Sequence, residues 1–147
     1  MRGKVTRRAA VVAALAALVV ATSVHGAAAA RSPIDGRWRW TYTYAELLHC
    51  CGKPIADAQA GPSLSEFRGG RIYALDAATG RLIGLRGTYT VAGDVVTFVF
   101  SHHYPGLVAG RAYVMRFTLF RDRLTWSHVP GRAGVDALTI APWTRVG

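Results

Sequence analysis

The chain has 147 residues, 51% of them hydrophobic, and carries 18 lysines and arginines against 8 acidic residues, a net charge of +10. That length holds one domain, and the basic excess is dispersed: Arg37, Arg39, Arg68, Arg81, Arg111, Arg123 and Arg132 form no run that would track a phosphate backbone. No nucleic-acid partner is therefore expected, and the charge reads as a solvated face.

Residues 1–30 read as an address. Arg2, Lys4, Arg7 and Arg8 form a basic head, Ala9 to Val24 is an uncharged run too short to span a bilayer comfortably, and Ala28-x-Ala30 fits a signal-peptidase site. A signal peptide over 1–30 and a mature domain over 31–147 are expected, with secretion or residence in the cell envelope and no stable membrane span after processing. Thr6-Arg7-Arg8 partly matches the twin-arginine export motif, but ordinary secretion accounts for the same head.

Alternation dominates the rest. Trp38, Trp40, Tyr42 and Tyr44 fall on one parity and Arg37, Arg39, Thr41 and Thr43 on the other, as a strand with one buried face requires. Tyr44 to Cys51 reads as a short helical turn after strand one, and Gly52 to Pro62 as a Pro/Gly/Ala loop or lid. Cys50 and Cys51 are adjacent, with Cα atoms about 3.8 Å apart, below the usual disulfide range of roughly 4.4 to 6.8 Å. A vicinal disulfide, two free thiols or a bridge between chains remain, and free or redox-labile thiols are the favoured expectation.

Seven further strands follow at close spacing: Ser63 to Arg68, Arg71 to Leu75, Leu82 to Val91, Val95 to Ser101, Arg111 to Phe120, Arg123 to Val129 and Asp136 to Ala141. Two hairpins align without a gap, Tyr89-Thr90-Val91-x-Gly93-Asp94-x-Val96-Thr97-Phe98 and Phe117-Thr118-Leu119-x-Arg121-Asp122-x-Leu124-Thr125-Trp126. In the first, a two-residue Gly93-Asp94 loop pairs Val91 with Val96 and Tyr89 with Phe98. Glycine comes first in that loop because only glycine takes the positive φ of a type II′ turn cheaply, so Arg121 predicts a different or longer loop in the second. Eight short strands in a meander hide their edges by closing, which predicts an all-β fold: a single antiparallel up-and-down barrel of about eight strands.

Gly36-x-Trp38, the Gly-Asp hairpin within Thr88 to Phe98 and the closing Pro142-Trp143-x-Arg145-Val146 resemble bacterial lipocalin-like domains of the calycin group, over most of Ile34 to Val146. The resemblance implies that Trp38 plugs one end of the barrel and that Arg145 packs across it as a cation-π contact, with Gly36, Trp38 and Arg145 serving the fold rather than a ligand. The chain is shorter than a typical lipocalin and its middle motif is not recognisable, so no ligand identity is implied.

The inward set that would line a pocket is Trp40, Tyr42, Tyr89, Phe98, Phe100, Tyr113, Met115, Phe117, Trp126 and His128, the last on the parity of Leu124 and Trp126. Such an aromatic wall suits a small hydrophobic or flat aromatic partner. A void of about 300 Å³ or more would separate a binding pocket from a filled core. His128 is the one ionisable member; it could orient a ligand, but a hydrogen-bonded histidine at the barrel rim is the favoured reading, the extended Gly-rich motif of haem-binding relatives is missing, and no cofactor is expected. His49, Cys50, Cys51, His102 and His103 match no metal-ligand spacing, so no metal is expected either. The acids are scattered at turns and strand ends with no catalytic constellation, which favours a binding module over an enzyme. The function expected is small-hydrophobic-ligand binding. The alternatives are a filled barrel acting as an envelope or protein-interaction module and, behind it, a barrel-based isomerase or cyclase.

Overall fold

The alternation of the first strand is realised in full over its buried half. In the computed structural model, which describes residues 31–147, β1 (Gly36–Tyr42) turns Trp38, Trp40 and Tyr42 inward at 0%, 8% and 1% exposure while its odd-numbered neighbours face water. The signal peptide expected over 1–30 lies outside the described residues. No helix among the described residues is long and apolar enough to cross a membrane.

After β1 come α1 (Tyr44–Cys51), α2 (Lys53–Gln59), β2 (Gly61–Arg68), β3 (Arg71–Leu75), β4 (Leu82–Ala92), β5 (Val95–Phe100), β6 (Ala112–Phe120), β7 (Arg123–His128), a 3₁₀ turn (Asp136–Thr139) and β8 (Trp143–Val146). Each strand pairs antiparallel with the next and β8 returns to β1, closing an eight-stranded up-and-down barrel with no free edge. Trp126 is inward and buried at 6%, packed edge-on to Phe98 at 5.4 Å and to Trp143 at 5.3 Å.

The two aligned hairpins have the same geometry. Val91 pairs with Val96 and Tyr89 with Phe98, as Leu119 does with Leu124 and Phe117 with Trp126. Both loops hold two residues, so the longer loop expected at Arg121 is corrected: Arg121 adopts φ 53° where Gly93 adopts φ 62°. The inward pairs fix the register. The loop is also tied down, since the Asp122 carbonyl accepts from the Arg145 amide at 2.7 Å as the Asp94 carbonyl accepts from the Phe117 amide at 2.8 Å. The left-handed conformation of a non-glycine residue costs roughly 1 kcal/mol, which these contacts outweigh.

Three other expectations are corrected. Tyr44 does not continue the buried parity. Thr43 caps α1 by accepting from the Glu46 amide while Glu46 accepts from the Thr43 amide, so the chain turns into helix and Tyr44 is exposed. Gly52 to Pro62 is not a loop. Pro54 sits in the first turn of α2, where a missing amide costs nothing, and the alanines that follow favour helix. The Tyr44 hydroxyl donates to Asp57 at 3.0 Å, clipping α1 to α2, and Lys53 donates to the same carboxylate at 2.6 Å within α2.

Asp136 to Ala141 is not the eighth strand. It is the 3₁₀ turn with Ala137 buried, because Pro142 interrupts a ladder at its end; Trp143 and Arg145 instead pair with Leu124 and Trp38 to close the barrel.

Candidate functional site

The two ends of the barrel are built differently. At one end lie the three two-residue turns, Gly69-Gly70, Gly93-Asp94 and Arg121-Asp122, and the interior there is stoppered by Ile34 and Trp38, both fully buried. The indole of Trp38 donates to the Ile34 carbonyl at 2.8 Å. Arg145 lies over the indole face, 4.4 Å from the ring centroid, and donates to the carbonyls of Asp35 at 2.6 Å and Pro33 at 3.1 Å. Gly36, at φ 134°, runs beneath that guanidinium, where a Cβ would meet Arg145 Nη1 at 2.6 Å. The Tyr89 hydroxyl donates to Asp35 and secures the same segment.

At the other end the connections are long, and beneath them lies a cavity of about 160 Å³. Its side walls are Trp40 and Tyr42 from β1, Ser63, Ser65 and Phe67 from β2, Ile72 from β3, Arg86 from β4, Phe98 and Phe100 from β5, and Trp143 from β8. Ala58 and Gln59 of α2, Tyr104, Pro105 and Leu107 of the β5–β6 loop, and Val135 and Leu138 around the 3₁₀ turn cover it. An outer hollow of about 220 Å³ beside Cys50 and Cys51 shares Gln59, Pro105, Leu107 and Val135 with it. The volume falls short of the roughly 300 Å³ that would by itself separate a binding pocket from a filled core, and is close to the roughly 150 Å³ in which an apolar cavity holds one benzene ring.

The cavity exists because β2 puts small residues where its neighbours put aromatic ones. Ser63 and Ser65 stand in register with Trp40 and Trp38 and so face inward. Leu64, in register with Arg39, lies on the outer face, buried at 3% beside Leu75 near the bridge from Arg39 to the Ala77 carbonyl. Beside the serines, Trp40 and Trp143 stack with centroids 3.9 Å apart and planes 8° from parallel. Trp143 Nε1 donates to the Tyr42 hydroxyl at 2.9 Å, which leaves the Tyr42 proton free to donate. Burial pushes the Tyr42 phenol well above its ordinary range, so it stays a neutral donor.

Arg86 enters through a break in the β3–β4 ladder. Ile72 pairs with Gly87 but Tyr73 pairs with Leu85, so Arg86 is an extra residue at a bulge. With Gly84 opposite Ala74 on the inner face and Leu85 on the outer, Arg86 falls inward next to Gly87, where a Cβ would meet the Val99 carbonyl and the Phe100 backbone of β5. Its guanidinium carbon lies 6.0 Å from the Trp40 ring centroid. Burial pulls its pKa below the ordinary guanidinium value, yet an arginine remains charged at neutral pH.

Of the ten side chains expected to line a pocket, the cavity wall contains Trp40, Tyr42, Phe98 and Phe100. Tyr89, Tyr113, Met115, Phe117 and Trp126 are buried but fill the barrel rather than face the cavity. Tyr113 spends its hydroxyl on the Val108 amide at 2.8 Å, holding the β5–β6 loop, and the Met115 sulfur lies 3.3 Å from the Val135 amide that donates to it. As a pocket-lining candidate His128 is a correction, while its place agrees with the rim reading: Gly134 and Val135 pack over Met115 and take the space inside, so the imidazole lies at the rim, 46% exposed and 3.1 Å from Asp136. The free-thiol expectation is also corrected, because Cys50 and Cys51 form a vicinal disulfide where α1 meets Gly52. Among the described residues no three His, Cys, Asp or Glu gather where a metal ion would need them.

Ser63, Ser65, Phe67, Ile72, Arg86 and Trp143 were missed. For Arg86 a signal existed, since Gly84 and Gly87 bracketing two residues inside a strand mark a bulge. Fold and site together define a small closed up-and-down barrel, stoppered at one end and hollow under a helical cover at the other. Comparison of the chain with protein-family models, with curated proteins and with solved structures gives no match.

Proposed function

We propose that the chain is an exported, lipocalin-like barrel that binds a small apolar molecule about one aromatic ring in size at its covered end. The observation that carries this reading is the cavity of about 160 Å³ walled by Trp40, Phe98, Phe100 and Trp143. A natural core packs without voids much larger than a water, so an unfilled space of this size beside stacked indoles marks a place kept for something else. The stoppered end supports the lipocalin-like assignment, and the basic head with its apolar run and Ala28-x-Ala30 supports export.

Titration of the protein with single-ring aromatics and with long-chain lipids, followed by tryptophan fluorescence, tests the reading. Saturable quenching by single-ring compounds, with weaker effects from long chains, is expected because Trp40 and Trp143 line the space. A silent response to the whole panel would overturn it.

A further inference from the structure

Resting on that binding reading, we propose that the ligand is an anion, a planar apolar body bearing a carboxylate, held at its charged end by Arg86 with the Ser65 hydroxyl. Among the described residues Arg86 is the only charged side chain in the cavity wall, with no aspartate or glutamate beside it. Other arginines of the domain are either partnered or, like Arg71, Arg81, Arg111, Arg121, Arg123 and Arg132, exposed to water. Arg116 pairs with Asp94 at 3.0 Å, Arg37 and Arg68 flank Glu66, and Arg145 is spent on two carbonyls. Among the described residues Arg86 has neither an ion pair nor a side-chain hydrogen bond, although it sits against an indole inside the barrel mouth. A largely desolvated guanidinium without a counter-charge is unfavourable, and a ligand carboxylate would supply that charge.

Ser65 points to the same conclusion from another strand. Its side chain is 1% exposed, it lines the same cavity, and its Oγ has no hydrogen-bond partner among the described residues. A buried hydroxyl is ordinarily satisfied, and this one has no partner although its residue borders the cavity. The free Tyr42 proton adds a third donor to the wall. A cation and two hydroxyl donors, with no carboxylate nearby, suit an acceptor-only group. Between carboxylate and phosphate, the two-pronged planar guanidinium fits either, but the small volume and flat aromatic walls favour the planar carboxylate.

Calorimetric titration with benzoate and with benzamide, which is nearly identical in shape and uncharged, tests the proposal at neutral pH. The protein is expected to bind benzoate about ten- to a hundredfold more tightly, the range for a desolvated charge-assisted hydrogen bond. Arg86→Met is expected to abolish the preference of benzoate over benzamide, the readout being the ratio of the two affinities, and Ser65→Ala to weaken benzoate by about threefold to tenfold. Should Arg86→Met fail to fold by near-UV circular dichroism, Arg86→Gln carries the same expectation. Equal affinity of the unaltered protein for the two compounds, or a benzoate preference that survives loss of Arg86, would overturn the anion and leave ring binding standing. Failure of both compounds to bind, with the fluorescence panel also silent, would overturn the two together.

Discussion

Arginine is used in opposite ways at the two ends of this barrel. Arg145, at the stoppered end, satisfies two backbone carbonyls and covers the Trp38 indole. Arg86, at the covered end, sits on a bulge inside an unfilled space, with its charge unmatched among the described residues. The first arrangement is what a fold requires of a half-buried cation. The second costs stability, which is the mark of a site kept for a ligand rather than for packing. The contrast extends to the connections, three two-residue turns at one end and two helices, a long loop and a 3₁₀ turn at the other.

The division would break most visibly at Trp38. Trp38→Ala removes a fully buried side chain from the stopper and is expected to destabilise the protein by about 3–5 kcal/mol in denaturant titration. The affinity of the remaining folded molecules for a single-ring ligand is expected to be unchanged, and a loss of affinity as large as the loss of stability would show that the two ends are not separable. The arginine pair sharpens the same comparison through its sign. Arg145→Met strands the Asp35 and Pro33 carbonyls and is expected to cost about 1–3 kcal/mol. Arg86→Met, measured without ligand, is expected to be neutral or to stabilise by up to about 1 kcal/mol, since it removes a desolvated charge and no hydrogen bond. Equal destabilisation by both would make Arg86 an ordinary structural residue.

A smaller effect tests the turns. Arg121→Gly relieves the left-handed residue in the second hairpin and is expected to stabilise by about 1 kcal/mol in the same titration, less whatever the contact between the Arg121 guanidinium and the Phe120 ring contributes.

What could be read from the sequence follows the same division. The stoppered end is made of regular strands and short turns, so period-two alternation located β1, both aligned hairpins and their register, and Trp38 and Arg145 sit where the quoted motifs put them. The covered end is built from departures from periodicity. Alternation is ambiguous in β2, because Leu64 and Phe67 have opposite parity and both are buried, one under each face. It fails in β4, where the bulge brings Arg86 inward beside Gly87. His128 has inward parity but lies past the point where Gly134 and Val135 take over the interior, a contact between segments that no local pattern records. The helix α2 was hidden by its composition, since Pro, Gly and Ala mark loops and helix starts alike.

The least expected effect belongs to Cys50 and Cys51, which lie at the edge of the cover and line the outer hollow. A thiol reagent is expected to find no reactive sulfur in the folded, oxidised protein and two after reduction; two before reduction would restore the free-thiol reading. Because the bonded residues are neighbours, the bridge closes almost no chain and removes little entropy from the unfolded state. Reduction is therefore expected to change global stability by no more than about 1 kcal/mol, well below what a disulfide across a long loop would give. Its influence falls instead on the local path of the chain from α1 through Gly52 into α2, the element that brings Ala58 and Gln59 over the cavity. Comparing single-ring ligand affinity before and after reduction separates these contributions. A change in affinity with stability held constant places the bridge in the cover, whereas a shift in both together would tie the cover to the strands beneath it and weaken the division between the two ends.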